Sequence, residues 1–237
     1  MAKTGDASDP LTTLQREVIA CRTCARLVRW RTKVAKEKVR RFADQEYWGK
    51  PIPGFGDPAA RLLLVGLAPA AHGGNRTGRM FTGDESGNWL FRALHRAGFA
   101  NQPMSVSRHD GLQLTGCYIT AALRCAPPLN KPTAREVASC RRYLDQELAL
   151  LRNVTVVIGL GRIGFDAALE AYRRGGRITY VRKPAFRHGA GYRFGKLTFI
   201  ASYHPSQQNT FTGKLTQPMF DRVFRKAQRV LTAPVVF

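Results

Sequence analysis

Three groups of residues in this chain are of types that do chemistry. Residues 66–87 read GLAPAAHGGNRTGRMFTGDESG and hold six glycines, a density chosen where the backbone needs positive φ or must lie close against a ligand. Among those glycines stand His72, Asn75, Arg76, Thr77, Arg79, Phe81 and Asp84, side chains that bind anions and flat rings. A second loop, SYHPSQQNTFTGKLT over residues 202–216, carries His204 directly after a strand-like run. A lone histidine is usually structural, but His-Pro-Ser at a strand end opposite the first loop favours a functional role. The third group is Cys21 and Cys24 in a C-x2-C spacing, with Cys125 and Cys140 about a hundred residues on. Five cysteines in a chain without an apolar leader do not make a secreted disulfide framework. Metal is the better reading, and four thiolates suit zinc or a [4Fe-4S] cluster equally on spacing alone. Cys117 lies inside an apolar run and reads as a core residue.

The elements that must hold these loops can be read from periodicity. Leu62, Leu63, Leu64 and Val65 are too few for a core helix and are bounded by Gly66, which predicts a central strand buried on both faces. Residues 117–123, 154–158 and 196–203 predict three more strands. Helical spacing predicts a helix over residues 11–30, with Cys21 and Cys24 on one face if it is continuous. Further helices are expected around Trp89, over 133–151 behind a Thr133/Glu136 capping box, and over 217–230. His95, near core spacing, reads as structural. Residues 51–58, PIPGFGDP, read as a rigid loop. Strands alternating with helices give the α/β class, a central mostly parallel four-stranded sheet flanked by helices. Both chemistry-bearing loops then leave strands at their C-terminal ends, where such sheets bind ligands. Residues 1–10 are expected to form a flexible tail and 11–237 a single domain.

Residues 159–164, GLGRIG, place a GxGxxG between a strand and a helix, the setting of a dinucleotide phosphate site. Too little chain follows it for a nucleotide-binding half, and Arg182 and Lys183 stand where an acid should end the next strand. Close packing of helix on strand explains the glycines; an NADP-linked oxidoreductase is the alternative.

The formal charge is +22, from 38 Lys and Arg against 16 Asp and Glu, far beyond what solubility requires. Basic residues spread along the chain favour nucleic acid over a membrane surface as the acidic partner. No 18-residue apolar run and no signal core are present, so the protein is expected to stay in the cytoplasm; association with the nucleoid and a monomeric state are further expectations.

The two loops resemble the first and second active-site motifs of the family 5 uracil-DNA glycosylases, an iron-sulfur group, and the resemblance spans residues 21–216. It implies a glycosylase domain acting on double- and single-stranded DNA containing deaminated bases, with a [4Fe-4S] cluster on Cys21, Cys24, Cys125 and Cys140. Excision requires flipping the nucleotide into a pocket. By resemblance Phe81 stacks on the base, Gly66, Ala68 and Ala121 line the pocket, and His204 donates to the base oxygen as the anion departs. Arg76, Arg79, Ser206 and Asn209 are assigned to DNA, and the loop 206–216 to holding the duplex open. The chain departs from the pattern at Ala68, where many members of the superfamily carry an acid, so Asn75 is the first choice to position water, with Asp84 second. It departs again at Ala121-Ala122, where related enzymes have an asparagine that reads uracil, which predicts a broader range reaching hypoxanthine. Lys214 is the only lysine in either loop, so a Schiff base is unsupported and an intact abasic strand is the expected product. A cluster-containing DNA-binding protein without catalysis is the rival reading.

Overall fold

The computed structural model describes residues 9–233. In chain order its helices are α1 Pro10–Ala20, α2 Ala25–Glu37, α3 Gly74–Thr77, α4 Glu85–Arg96, α5 Ala134–Leu150, α6 Gly161–Arg174, α7 Gln207–Phe211 and α8 Gln217–Thr232. Its strands are β1 Phe55–Gly56, β2 Leu62–Gly66, β3 Cys117–Ala121, β4 Val156–Leu160, β5 Gly191–Phe194 and β6 Leu197–Ser202.

The sheet order is β1-β3-β2-β4-β6-β5, with β3, β2, β4 and β6 parallel. The sheet therefore has six strands, not four: β1 adds antiparallel to β3 and β5 antiparallel to β6. Both additions are edge strands that lack a continuous apolar run. β1 is two residues inside the loop expected at 51–58, and β5 alternates exposed with half-buried positions. Every residue of β2, β3 and β4 is buried, as strands covered on both faces must be. Successive side chains feed two cores. Leu62, Leu64, Ile119, Ile158 and Ile200 pack with residues of α4 and α8 on one face. Leu63, Val65, Tyr118, Val157 and Phe199 pack with residues of α5 and α6 on the other.

The helix expected over 11–30 is broken. Cys21 ends α1 with extended backbone and Cys24 caps α2, so the C-x2-C sits in a turn between two helices instead of on one helical face. The first eight residues of the expected tail lie outside the described residues, and the tail's last two are structural: the Asp9 carboxylate accepts from Thr12 N–H and Pro10 opens α1. The capping box at Thr133 and Glu136 forms in both directions.

At the β3 end of the sheet the Arg124–Glu147 ion pair is completely enclosed, with side chains 1% and 0% exposed. The Glu147 carboxylate also accepts from Thr120 Oγ1 at 2.5 Å, Gly54 N–H at 3.2 Å and the Tyr118 hydroxyl at 3.4 Å. This one side chain ties α5 to β3 and to the loop carrying β1, fixing the strand from which the Cys125 segment departs.

Candidate active site

β2 and β6 are separated only by β4, and all three end on the same side of the sheet, so the loops that follow them open onto one crevice. Gly66 is opposite Ala121 in register. After Gly66 the chain turns through the four-residue helix α3, reverses at Gly78 with φ 79°, and enters α4 at Asp84.

Phe81 is held at φ 52°, a left-handed conformation that costs a side-chain-bearing residue about 1–2 kcal/mol and persists only where the surroundings impose it. Two glycines make the conformation possible. A Cβ on Gly87 would lie 1.9 Å from the Phe81 carbonyl oxygen, and one on Gly66 would lie 2.9 Å from the tip of the Phe81 ring. The ring is thereby laid over the end of β2, where it stacks against His204 with centroids 5.7 Å apart and planes 29° apart.

His204 follows β6 by two residues, and its own loop locks it. Ser206 caps α7 by accepting from Asn209 N–H, and Asn209 Nδ2 donates to the His204 carbonyl at 2.8 Å. Gly161, the first residue of α6, packs beside His204 and takes φ 81°, a left-handed conformation open to glycine; a Cβ there would meet the His204 Cβ at 3.4 Å, an ordinary contact. Burial lowers the His204 pKa to about 4. At neutral pH the ring is uncharged and donates from one nitrogen only, which suits hydrogen bonding to a developing anion and does not suit proton delivery.

Asp84 is the carboxylate of this crevice. Its Oδ1 accepts Gly87 N–H at 2.9 Å, and a Cβ on Gly73 would fall 1.9 Å from its Oδ2. Burial pushes its carboxyl up, against the lowering pull of the Gly87 amide and the Arg76 guanidinium. A carboxylate so placed is poised to accept a proton.

Other residues assigned from the sequence stand elsewhere. Asn75 is buried; its Nδ2 donates to the Arg31 carbonyl of α2 at 3.2 Å and its backbone carbonyl accepts Gly49 N–H, so it braces α3 against α2. Arg76 and Arg79 turn inward, contrary to the expectation that they meet DNA. Arg76 donates to the His72 carbonyl, the Gln45 side chain and the Gly83 carbonyl, and lies over the Phe42 ring at 3.8 Å. Arg79 donates to Ser105 and to both oxygens of Asp110, in a pair 6% and 8% exposed. Both arginines hold the loop's shape. Ser206 and Asn209 serve the α7 turn, as described above. Ala121 is buried in the core, and Ala68 packs on the opposite, cysteine side with Ala122.

The family model described as the Uracil DNA glycosylase superfamily matches residues 53–228. A type-5 uracil-DNA glycosylase of Mycobacterium leprae is 48% identical over 219 residues, 92% of this chain and 94% of that protein. The type-5 enzyme of Thermus thermophilus is 51% identical over 214 residues, covering 89% and 94%. This chain belongs to the type-5 uracil-DNA glycosylases. A type-4 uracil-DNA glycosylase of Archaeoglobus fulgidus is similar at 29% identity over 157 residues, 65% of this chain and 70% of that one.

In this type-5 glycosylase the four cysteines Cys21, Cys24, Cys125 and Cys140 line one small cavity, together with Leu27, Arg124 and Tyr143. They come from the α1–α2 turn, the segment after β3, and α5. Burial pushes the Cys125 thiol up to about 12, and the Cys140, Cys21 and Cys24 thiols push it the same way, so the four are within electrostatic reach of one another. The Arg124 N–H donates to Cys140 Sγ at 3.3 Å, a contact that suits a thiolate. Among the described residues, no three His, Cys, Asp or Glu side chains converge closely enough to hold a single metal ion.

The GxGxxG glycines are packing positions. A Cβ on Gly164 would meet the Val65 carbonyl at 2.3 Å and one on Gly159 would meet Phe165 at 2.3 Å, so α6 lies directly on β2 and β4. What sequence reasoning missed in this glycosylase is the part played by Gly87 and Gly73. Each glycine clears space for one functional atom, and nothing local in the sequence announces that atom.

Proposed function

We propose that this chain removes uracil from DNA by hydrolysing the N-glycosidic bond, leaving an intact abasic strand. The observation that carries the reading is the Phe81–His204 stack, an aromatic ring held in a strained backbone conformation beside a half-buried neutral imidazole at the C-terminal crevice of the sheet. A flipped base needs a flat apolar face and a directed hydrogen-bond donor. Phe81 supplies the face, a contact of about 1–3 kcal/mol per base. His204 supplies the donor, stabilising the base anion as the glycosidic bond lengthens, without the charge that would let it tumble into solvent.

Asp84 takes the role of water partner ahead of Asn75, because an amide is no base near neutral pH and the Asn75 side chain is enclosed, its Nδ2 bonded to α2 and its Oδ1 buried without a partner. With its pKa raised by burial, Asp84 accepts the proton of the attacking water. Ala121 offers no hydrogen bond to the base edge, so discrimination rests on shape and on His204, and hypoxanthine is accepted as well as uracil. On the DNA side, Phe211 at the end of α7 is 76% exposed, an apolar side chain on the loop already assigned to propping the duplex.

The four cysteines fit a [4Fe-4S] cluster better than zinc. One zinc ion would draw its thiolates to about 3.8 Å from each other, given Zn–S bonds of about 2.3 Å in a tetrahedron, whereas a cube takes one thiolate at each of four irons. A bound cluster would supply a covalent tie between the α1–α2 turn, β3 and α5, and no step of the excision passes through it. Among the described residues no helix is long and apolar enough to cross a membrane. The reading includes both double- and single-stranded DNA as substrates, and a monomer working in the cytoplasm at the nucleoid.

The test is an end-labelled duplex with one U:G pair, incubated with the protein or with His204→Ala and analysed with and without hot alkali. Cleavage that needs alkali and collapses in the variant supports a monofunctional glycosylase using His204. A retarded but uncleaved duplex would favour a binding protein without catalysis and overturn the reading.

A further inference from the structure

A second cleft of about 440 Å³ borders the loop that carries Phe81 and Asp84. It is lined by Arg76 and Thr77 of that loop, together with Trp48, Lys50, Arg108 and His109. Trp48 is a rigid platform. Its N–H donates to the Arg76 carbonyl at 2.9 Å, its indole Nε1 donates to the Pro51 carbonyl at 3.1 Å, and its ring lies against Gly78, where a Cβ would be 3.0 Å away. The platform is therefore tied to α3 and cannot shift without moving the catalytic loop.

Two cations address this indole. The Arg108 guanidinium is 4.4 Å from the ring centroid and the Lys50 ammonium 5.3 Å. Among the described residues neither has a carboxylate within ion-pair distance. The contrast with Arg76 and Arg79, whose donors are spent inside the protein, is direct. Glu46 is the one carboxylate on the rim. A guanidinium stacked on an indole has its plane fixed, so one face is open to a flat ring and its N–H fork is open to a phosphate. Arginine planes and aromatic rings are the surfaces on which unpaired bases stack.

We propose that this cleft is a second nucleotide-binding site, taking one unpaired nucleotide of single-stranded DNA flanking the flipped base. The phosphate lies on Lys50 and Arg108 and the base lies on the Arg108–Trp48 stack. The site rests on the glycosylase reading above and accounts for how the enzyme holds a strand that has no duplex to grip.

The experiment measures Kd by fluorescence anisotropy over a series of salt concentrations. The probes are a single strand and a duplex, each carrying a non-hydrolysable 2′-fluoro deoxyuridine. Arg108→Ala is expected to weaken single-strand binding about tenfold, and duplex binding less, because only the single strand offers a base to stack. The slope of log K against log salt should flatten by about 0.7 on the single strand, the share of one phosphate. Lys50→Ala should flatten the slope without the full affinity loss. Arg108→Lys should restore the slope but not the affinity, since it keeps the charge and loses the plane. A parallel probe with 5-iodocytosine placed at successive flanking positions should photocrosslink to Trp48 from one of them. Unchanged single-strand affinity and slope in both alanine variants, or crosslinks that never reach Trp48, would overturn the site. Failure of the glycosylase reading shows separately, as wild-type protein that releases no uracil from a cleavable duplex.

Discussion

Replacing Asp84 by asparagine separates catalysis from folding, because the side chain does two jobs that asparagine divides. As the N-cap of α4 it accepts Gly87 N–H, and asparagine caps a helix about as well as aspartate, whereas alanine costs about 1 kcal/mol. In the proposed reaction this half-buried carboxylate is the proton acceptor, and asparagine cannot be one; the loss of a positioned general base is about 10²–10⁴-fold. Single-turnover excision by Asp84→Asn should fall by that factor, with the fold intact. The pH dependence carries a second signature. Burial raises the Asp84 pKa, so the folded state favours the protonated form. The associated stability is present below the ordinary carboxyl pKa of about 3.9 and is lost as pH rises through the raised value. The wild type should therefore lose ground to Asp84→Asn in melting temperature as pH rises above the ordinary carboxyl value, the gap closing at the acid end. Asp84→Ala should melt about 2–4 °C below Asp84→Asn at every pH, since it lacks the cap. Wild-type excision should also show an acid limb above the usual carboxylate range that Asp84→Asn lacks. Excision by Asp84→Asn within threefold of wild type would refute the role, and parallel melting of the two proteins as pH rises would refute the half-buried, raised carboxylate.

Four further outcomes follow from the same geometry. His204, with its pKa lowered to about 4, contributes stability that is full above the ordinary histidine value of about 6.5 and is lost as pH falls from there towards 4; calorimetric melts of His204→Gln should be flatter than wild type over that window. Gly87→Ala puts a methyl group into the Phe81 carbonyl, and a displacement of the ring by about 1 Å should cost excision roughly 100-fold at saturating DNA, which single-turnover kinetics would read. Glu147→Gln leaves the Arg124 charge buried without its counter-ion, a loss of about 3–5 kcal/mol that should lower the melting temperature by roughly 10 °C; a change under 2 °C would show the network to be dispensable. Metal and sulfide analysis of the purified protein should give about four irons per chain, and Cys140→Ser should lose them and loosen α1 and α2 in hydrogen exchange. Zinc in place of iron, or retained iron in the variant, would contradict the cluster.

The four parallel strands and the capped helix α5 could be read from residue order because each rests on local physics. A run such as Leu62 to Val65 has no other stable home than a doubly covered strand, and Thr133 with Glu136 closes its cap within four residues. The edge strands could not be read, since β1 and β5 exist only through pairing with partners far along the chain. The same distinction divides the site. His204 stands out by its place just after a strand end, whereas the stacking role of Phe81 comes from the family resemblance and not from any local pattern. The roles of Arg76 and Arg79 depend on what they meet, and sequence shows a positive charge without showing the Gln45 side chain, the Gly83 carbonyl or the Asp110 carboxylate that consume it.

That misassignment has a physical lesson for a chain of +22. A cation inside a functional motif is under pressure to hold the motif together, because a glycine-rich loop has few side chains of its own with which to resist deformation. Arg76 links His72, Gln45 and Gly83, and Arg79 links Thr82, Ser105 and Asp110; between them they brace both ends of the segment that forces Phe81 into its strained backbone. The phosphate-binding charge then has to come from cations that brace nothing, and Lys50 and Arg108 beside Trp48 are of that kind. Swapping charge at the two classes should therefore give opposite phenotypes. Arg79→Ala should damage excision through the loop at any salt concentration, while Arg108→Ala should damage it through affinity, most severely at low salt and less as salt rises.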